Sequence, residues 1–316
     1  MDFLYNNFIS DLFVNALNGI SGWGLTYAVA IIILTIIIRF ALFPLDKKQR
    51  DNSKKMSALG PELQSLQKRY ANDPQRMQQK QQELYRKMGV NPFMGCLPAL
   101  IQLPIWFAFF GAMRILQTEQ MVNLVLTASH YGAQAVSLPS MLWVHNFWQA
   151  DTGFTDILPK TADFLTFLQQ NASNISPQVM SILQTQGLVS FSSGALAVND
   201  AVYTPMANEI VAKAGLTGYA NGWFILPALS GLSLFLQQKF GVSDLGTAGG
   251  GVPGQPGGKF MLFFFPAFSV WICMTSPASF ALYWAVSSAY AFAQSKLVDF
   301  IYKKRAQAKA VTVQNK

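Results

Sequence analysis

Arg39 is the one charged residue in the long apolar run between Asp11 and Asp46. A charge near the middle of a bilayer costs about 2.5–3.5 kcal/mol on insertion scales, so such a residue usually faces a bundle interior or a water-filled cavity. In a cavity, its chemistry is attraction of acidic groups on a ligand. The alternative is that Arg39 snorkels, because it lies seven residues before Asp46, about 10 Å from the predicted cytoplasmic boundary.

Uncharged polar side chains in the other apolar runs favour a cavity. Thr35 lies one helical turn before Arg39 and shares its face. Isolated serines usually bond their own backbone or a neighbouring helix. Glutamines in three runs together with an arginine in a fourth, however, predict a shared polar cavity in the cytoplasmic half of the membrane. Ser230 shares a helical stripe with Ser233 and Gln237. The candidate residues of the cavity are Arg39, Thr35, Gln102, Ser233, Gln237, Tyr283, Ser287 and Gln294.

The sequence offers little for catalysis or cofactor binding. None of the predicted spans contains Asp or Glu, which argues against a proton-coupled pump. A glycine-rich phosphate loop, an HExxH motif and a nucleophile elbow are all absent from the sequence. Cys96 and Cys273 lie in apolar runs, and His130 and His145 have no second ligand at metal spacing. We therefore expect a protein that is not an enzyme and has no cofactor and no metal site.

Composition indicates that these residues belong to a membrane protein. Of the 316 residues, 51% are hydrophobic and 12% are charged, whereas an ordinary soluble domain is about 25% charged. The mean hydropathy is +0.26, and the net charge is +8 despite the few charged residues. These values argue against a disordered chain, a coiled coil and a soluble Rossmann or barrel enzyme. They are typical of a membrane protein whose basic residues collect on one side.

Five apolar segments have the length of membrane spans, since a helix needs about 20 residues to cross a bilayer core. The last two divide an uncharged run of 36 residues. As one helix that run would extend about 54 Å, which is too long for a core of about 30 Å. Ser276 as N-cap and Pro277 at the first helical position predict the break. The predicted spans are 21–45, 92–114, 220–239, 260–275 and 277–298.

Charge predicts the orientation of these spans. Residues 46–87 carry a net charge of +6, residues 239–259 carry +1 and residues 296–316 carry +5, whereas residues 114–213 carry −3. Five spans place the three positive segments on one side, and four would place the +5 tail outside. The predicted fold class is therefore an all-α membrane protein with five transmembrane helices, the N-terminus outside and the C-terminus inside.

The segments between the spans also have predicted structures. Residues 1–20 have the pattern of an interfacial helix on the outer face, the alternative being a helical lead-in to the first span. Residues 115–219 form a long extracytoplasmic loop, with short helices near 117–130, 160–171 and 177–186. Residues 240–259 are a glycine-rich cytoplasmic linker. Residues 299–316 are a basic cytoplasmic tail.

Residues 46–91 predict an antiparallel helical hairpin on the cytoplasmic face. Met56, Leu59, Leu63, Leu66 and Tyr70 are spaced as one apolar seam. Asp73 and Pro74 indicate that a second helix starts there, and Gly89 ends it. Asn91 and Pro92 then open the second span. The hairpin is either a solvated loop steadied by its seam or a basic platform for ribosomes, lipid headgroups or a client chain.

The motifs, taken in order, resemble those of the YidC-type membrane protein insertases, the bacterial branch of a family with mitochondrial and chloroplast members. The resemblance covers roughly 1–115 and 220–300. The chain departs from the family pattern in Pro277-Ala278-Ser279-Phe280, in Ser288, and in an expanded outer loop over 150–217. The matching residues are Arg39-Phe40, Leu45, Met56, Leu59, Pro61-Glu62, Tyr70, Asp73-Pro74, Asn91-Pro92, Gly95-Cys96-Leu97-Pro98, Gln102, Pro104, Ile225-Leu226-Pro227, Ala281-Leu282-Tyr283-Trp284 and Gln294.

The resemblance implies a hydrophilic groove that is open to the cytoplasm and to lipid and closed to the outside. Arg39 would lie in this client-binding groove, and Trp284 joins the candidate residues. It further implies a multi-pass protein of the bacterial cytoplasmic membrane that inserts nascent membrane proteins. Anionic lipids, the ribosome and the Sec translocon are further candidate partners, and no direct DNA binding is expected.

Two alternative functions would also account for these polar residues. A small solute transporter or channel would need a continuous path and is typically built from inverted repeats, which the sequence does not show. A membrane assembly factor would bind client subunits without moving them.

Overall fold

A computed structural model describes residues 7–91, 97–192, 194–241 and 258–314. The chain divides into two compact units. The first comprises Met1–Ile32, Ile105–Ala228 and Trp271–Tyr283, and the second comprises Ile33–Pro104, Leu229–Val270 and Trp284–Lys316. The described residues are mostly helical, with one two-stranded hairpin, so the predicted all-α class is correct in outline.

Helix α1 (Phe8–Ser21) corresponds to the predicted N-terminal helix, of which residues 1–6 lie outside the described part. Asn7 caps it, because its side chain accepts hydrogen bonds from two backbone N–H groups of the first turn. Phe13 and Leu17 are buried, whereas Phe8 and Leu12 on another face are exposed. The helix is therefore amphipathic and also exposes apolar residues.

Helix α2 (Tyr27–Ala58) is longer than the predicted first span. It continues through Pro44 and does not end at Leu45. The polar residues that follow contain neither Gly nor Pro before Gly60, so nothing in the sequence stops the helix. In the described part of the chain, Tyr27–Asn52 is the one segment both long and apolar enough to cross a membrane, and Leu262–Thr275 is a shorter apolar helix.

Helices α3 (Gly60–Arg69) and α4 (Pro74–Lys87) follow in the second unit. Asp73 caps α4 by accepting a hydrogen bond from the N–H of Arg76 at 3.0 Å, at the restart that the sequence predicts. Leu59, Leu63 and Val90 are buried together, and Met56, Leu84 and Tyr85 pack against them. The start of α3 thus contacts the end of α4, which requires the two helices to run antiparallel. The seam is not one helical face, because α2 ends before Leu59 and α3 begins after it.

Helix α5 (Leu97–Tyr131) continues well past the predicted end of the second span at 114. The short helix predicted near 117–130 is the C-terminal part of α5. The predicted start of the second span, at Pro92, lies outside the described residues.

The predicted extracytoplasmic loop contains a small folded region. Helices α6 (Thr161–Gln170) and α7 (Pro177–Thr185) lie where short helices were predicted. The antiparallel strands β1 (Val189–Ser192) and β2 (Ala195–Val198) and helix α8 (Asp200–Lys213) were not predicted.

The packing of this region centres on Tyr203 of α8. Its ring stacks on that of Phe164 with centroids 4.6 Å apart. Its hydroxyl donates a hydrogen bond to the Pro159 carbonyl at 2.8 Å. Burial raises the pKa of the Tyr203 phenol, so the group stays a neutral donor.

The last three helices are α9 (Ile225–Gly241), α10 (Gly258–Thr275) and α11 (Ala278–Gln314). Most of the predicted glycine-rich linker, residues 242–257, lies outside the described part of the chain. Helix α11 does not end at 298 but continues through the predicted basic tail. Ala-, Lys- and Gln-rich sequence favours this continuation.

The start of α11 differs from the prediction. The carbonyl of Pro277 accepts the first helical hydrogen bonds, so Pro277 precedes the helix and Ser276 is not its N-cap. The N–H groups of Ala278 and Ser279 donate instead to the carbonyls of Gln149 and Phe147, at 2.9 Å and 3.1 Å. Backbone from the loop thus satisfies the helix terminus.

Candidate functional site

Arg39 contacts a second helix of its own unit. Its Nε donates a hydrogen bond to the Ser287 hydroxyl at 2.8 Å, and its Nη2 donates to the same oxygen. Ser287 is buried on α11, and Arg39 is half-buried on α2. Both helices are apolar around this pair, so among the described residues the guanidinium is hydrogen-bonded to a neutral hydroxyl within a locally apolar stretch.

Three further contacts join the same helices. Gln294 Nε2 donates to Asp46 Oδ2 at 3.2 Å. Asp46 follows Arg39 by seven residues on α2, and Gln294 follows Ser287 by seven residues on α11. Because both contacts advance in the same direction along the chain, the two helices run parallel. Arg50 Nη1 donates to the Ser295 carbonyl at 2.5 Å, and Arg50 Nη2 lies 3.5 Å from Asp299 Oδ2. We call these residues the polar row: Arg39, Asp46, Arg50, Ser287, Gln294, Ser295 and Asp299.

Gln294 has unused hydrogen-bonding capacity. The residue is buried, and its side-chain amide nitrogen is used on Asp46. Its Oε1 has no hydrogen-bond partner among the described atoms. A buried acceptor without a donor is costly, and such atoms are most often explained by water or a ligand.

The other candidate residues of the second unit lie on four helices, α2, α5, α9 and α11. Thr35 is buried one turn before Arg39 on α2. Gln102, Gln237 and Trp284 are half-buried on α5, α9 and α11. The Ser233 hydroxyl bonds the Leu229 carbonyl of its own helix, as isolated serines in apolar helices usually do.

Two predicted polar residues have structural partners. Ser230 accepts a hydrogen bond from Ser269 at 3.1 Å, and both hydroxyls are buried between α9 and α10. Tyr283 belongs to the first unit, where its ring stacks on Phe109 with centroids 3.9 Å apart. Both therefore hold helices together.

Sequence reasoning missed the α2 members of the polar row beyond Arg39, which are Asp46 and Arg50. Asp46 and Arg50 follow Arg39 by seven and eleven residues, which is the spacing of one helical face. Ser287 and Gln294 show the same spacing on α11. The signal was present, but ending the first span at Leu45 assigned Asp46 and Arg50 to a separate hairpin.

A second cluster, in the first unit, is built around the buried carboxylate of Asp151. It accepts hydrogen bonds from the backbone N–H groups of Trp223, Phe224 and Leu226 and from the Trp143 indole, at 2.7–3.1 Å. A carboxylate in this position caps the N-terminus of α9 and satisfies its free donors. A Cβ at Gly222 would overlap the carboxylate, so only glycine fits there.

The segment 146–151 contacts the starts of three helices of the first unit. Asp151 caps α9, and the carbonyls of Phe147 and Gln149 accept from the first N–H groups of α11. The ring of Trp148 lies 5.4 Å from that of Tyr27, the first residue of α2. The N-termini of α2, α9 and α11 therefore lie at the same end of this unit. These three helices contain the predicted first, third and fifth spans.

A protein-family profile described as "60Kd inner membrane protein" matches residues 18–208 and 193–306. Similar curated proteins carry insertase names. The membrane protein insertase YidC 2 of Bacillus anthracis is 41% identical over 152 residues, which are 47% of this chain and 52% of that protein. The membrane protein insertase YidC of Clostridium perfringens is 37% identical over 149 residues, 47% of this chain and 55% of the relative.

A third relative is the membrane protein insertase MisCA of Bacillus subtilis. It is 40% identical over 154 residues, which are 46% of this chain and 50% of the relative. The chain thus spans about half the length of these curated relatives.

Proposed function

This chain belongs to the 60Kd inner membrane protein family, and from that premise we propose that it is a membrane protein insertase. It is a bacterial inner membrane protein by family. The proposed activity is the movement of short hydrophilic client segments along the polar row, followed by release of the client's apolar helix into the bilayer. The contact between half-buried Arg39 and Ser287 on a second apolar helix carries this proposal.

The proposed topology has five spans, with the N-terminus outside and the C-terminus inside. The parallel contacts of α2 and α11 support it, because the first and fifth spans must cross in the same direction. The shared end of α2, α9 and α11 at the segment 146–151 supports an outer location for that segment. The charges of +6 at residues 46–87 and +5 at residues 296–316 support a cytoplasmic location for both.

The mechanism follows from the solvation of a hydrophilic segment. A bare backbone in lipid leaves each N–H and C=O group unsatisfied, at a cost of several kcal/mol per group. The polar row offers donors and acceptors, among them the free Oε1 of Gln294. Arg39 attracts acidic side chains with about 4 kcal/mol at 4 Å and an effective dielectric of 20, before desolvation. The client helix then partitions into lipid because its apolar surface is buried there.

The proposal also includes further residues along the client path and further partners. Thr35, Gln102, Gln237 and Trp284 are the other residues of the second unit that we place in the client path. Nascent membrane proteins are the proposed clients. The basic hairpin of α3 and α4 is the proposed contact for anionic headgroups, the ribosome or the Sec translocon.

Reconstitution into liposomes without nucleotide tests this function. The purified chain should integrate a small single-span client with an acidic translocated tail, and empty liposomes should integrate less. A solute transporter would instead release an encapsulated small solute, and an assembly factor would bind the client without making its tail protease-resistant. Failure to protect the client tail would contradict the insertase proposal.

A further inference from the structure

Large apolar side chains are exposed on three neighbouring loops of the first unit. Leu142 is 83% exposed, Phe154 is 73% exposed and Trp223 is 70% exposed. Tyr219 is also exposed. A soluble surface scatters such residues singly, whereas a group of them marks an interaction site. We call the group the apolar rim: Leu142, Phe154, Tyr219 and Trp223.

Backbone hydrogen bonds connect the three loops to one another. The N–H of His145 donates to the Asn221 carbonyl at 3.0 Å, and the N–H of Asn221 donates to the Thr155 carbonyl at 2.8 Å. The buried Asn221 side chain adds bonds to the carbonyls of Asn146 and Ala150. The rim residues are therefore carried on backbone that is bonded together and not on independent flexible loops.

The backbone at Leu142 is unfavourable for an exposed leucine. Its φ is +53°, in the left-handed region that a bulky residue rarely adopts. Glycine or asparagine would be easier at this turn, and a polar side chain would be better solvated. A leucine held outward by a strained turn gains stability only where something apolar covers it.

The position of the rim indicates what covers it. Trp223 lies two residues before α9, whose start is fixed by Asp151. The segment 146–151, which includes Asp151, also contacts Tyr27 through Trp148. Tyr27 is the first residue of α2, the helix that is long and apolar enough to cross a membrane. Trp23, four residues earlier, is 80% exposed. The rim thus lies at the end of the unit where α2 begins, which is the depth at which Trp and Tyr concentrate in membrane proteins.

We propose that the apolar rim inserts into the headgroup region of the outer leaflet and anchors the extracytoplasmic loop to the bilayer. This inference rests on the proposed spans of α2 and α9. The anchoring is apolar and not electrostatic, because the rim residues are uncharged and residues 114–213 carry a net charge of −3. Lipid is the occupant because Trp223 lies two residues before one predicted span, and Trp148, between Leu142 and Phe154 in the chain, contacts the start of another.

The test measures the depth of single labelled positions in the full chain. Cys96 and Cys273 are replaced by alanine, and single cysteines are introduced at Leu142, Phe154 or Trp223. Each carries an environment-sensitive nitrobenzoxadiazole fluorophore in phosphatidylcholine liposomes, with or without phosphatidylglycerol. Gln178, exposed on α7, is the matched water-exposed control, and Ile37, exposed in mid-α2, is the embedded control.

At the rim we expect blue-shifted emission and several-fold stronger quenching by headgroup-labelled nitroxide lipid than at Gln178. The quenching should be the same with and without phosphatidylglycerol. Rim quenching no greater than at Gln178, with Ile37 quenched by deep nitroxides, overturns the anchor and leaves the spans standing. A blue shift without lipid quenching assigns the rim to a protein partner and also overturns it. If Ile37 is not quenched, the span itself is wrong and the anchor fails with it.

Discussion

At the scale of single residues, two substitutions of Arg39 separate the effect of its charge from the effect of its guanidinium geometry. We expect Arg39→Ala to lower insertion of a client with an acidic tail about tenfold, which corresponds to about 1.4 kcal/mol of the attraction. Arg39→Lys should keep most of the activity if charge is what matters, although lysine cannot reproduce the paired Nε and Nη2 contact with Ser287. The measurement is protease protection of the client tail in liposomes.

A client whose acidic tail residues are replaced by neutral ones is the control for the Arg39 variants. Its insertion should change little in Arg39→Ala. Full activity of Arg39→Ala on the acidic client would remove the charge role.

Asp46 is a competing anion for Arg39. It lies two turns further along α2, about 10 Å away by helix geometry. At an effective dielectric of 20 such a pair interacts by about 1.7 kcal/mol before screening. We expect Asp46→Asn to raise insertion of the acidic client roughly two- to fivefold. The same liposome assay measures it.

Asp51→Asn, on the same helix, is the matched loss of one acidic charge and should have a smaller effect. A fall in insertion of the acidic client by Asp46→Asn would show that its hydrogen bond with Gln294 matters more than its charge.

At the scale of elements, sequence predicted helices better than helix ends. The restart at Asp73 and Pro74 is correct because a cap and a proline are local signals. Helices α2, α5 and α11 extend beyond the predicted spans, because charge marks where a membrane ends and not where a helix ends. The hairpin of β1 and β2 has short, mixed strands whose pattern is too weak to read.

The candidate site shows the same limit. Arg39 and Ser287 were both predicted and are in contact. The pairing of Gln294 with Asp46 was not, because it depends on the register of two helices 248 residues apart. The role of Asp151 is also invisible in the sequence, since three of its four donors are backbone groups.

The cap of α9 depends on both oxygens of Asp151. We expect Asp151→Asn to destabilise the first unit by about 2–4 kcal/mol, because one oxygen is replaced by an amide that faces N–H donors. Hydrogen exchange at Trp223, Phe224 and Leu226 should accelerate, and the thermal midpoint should fall. Asp156→Asn, in a surface pair with Lys160, is the control and should change stability by about 0–1 kcal/mol. Unchanged exchange at these three amides would contradict the cap.

The contact between α6 and α8 should depend on pH. The hydroxyls of Thr161 and Thr204 donate to the Asp200 carboxylate and hold the pKa of Asp200 below its ordinary value. A lowered folded-state pKa stabilises above the unfolded value, about 3.9, and that stabilisation is lost as pH falls through the folded pKa. The protection of α6 and α8 against hydrogen exchange, corrected for the intrinsic exchange rate, should therefore fall below about pH 4.

Asp200→Asn should remove this acid-dependent loss of protection. Glu209→Gln, which removes one acidic charge from the same helix, should keep it. Equal acid sensitivity in Asp200→Asn and in the unaltered chain would assign the effect to another group.

At the scale of the whole molecule, the net charge of +8 is distributed unevenly along the chain. The positive excess lies in residues 46–87 and 296–316, and the long loop between α5 and α9 is negative. The first unit contains that loop and the starts of α2, α9 and α11, whereas the second contains the hairpin of α3 and α4 and the end of α11. Each unit therefore gathers segments that the charge pattern assigns to one side of a membrane.

Labelling from one side of the membrane tests this topology. In a cysteine-free chain, single cysteines replace the exposed residues Ser65 on α3, Gln178 on α7 and Gln307 on α11. An impermeant maleimide added to intact spheroplasts should label Gln178→Cys, and should label the other two only after permeabilisation. In the proposed topology, the parallel helices α2 and α11 both run from the outer to the inner face, which places Gln307 on the same side as Ser65. Labelling of Gln307→Cys in intact spheroplasts would require an even number of spans and would contradict the parallel crossing of α2 and α11.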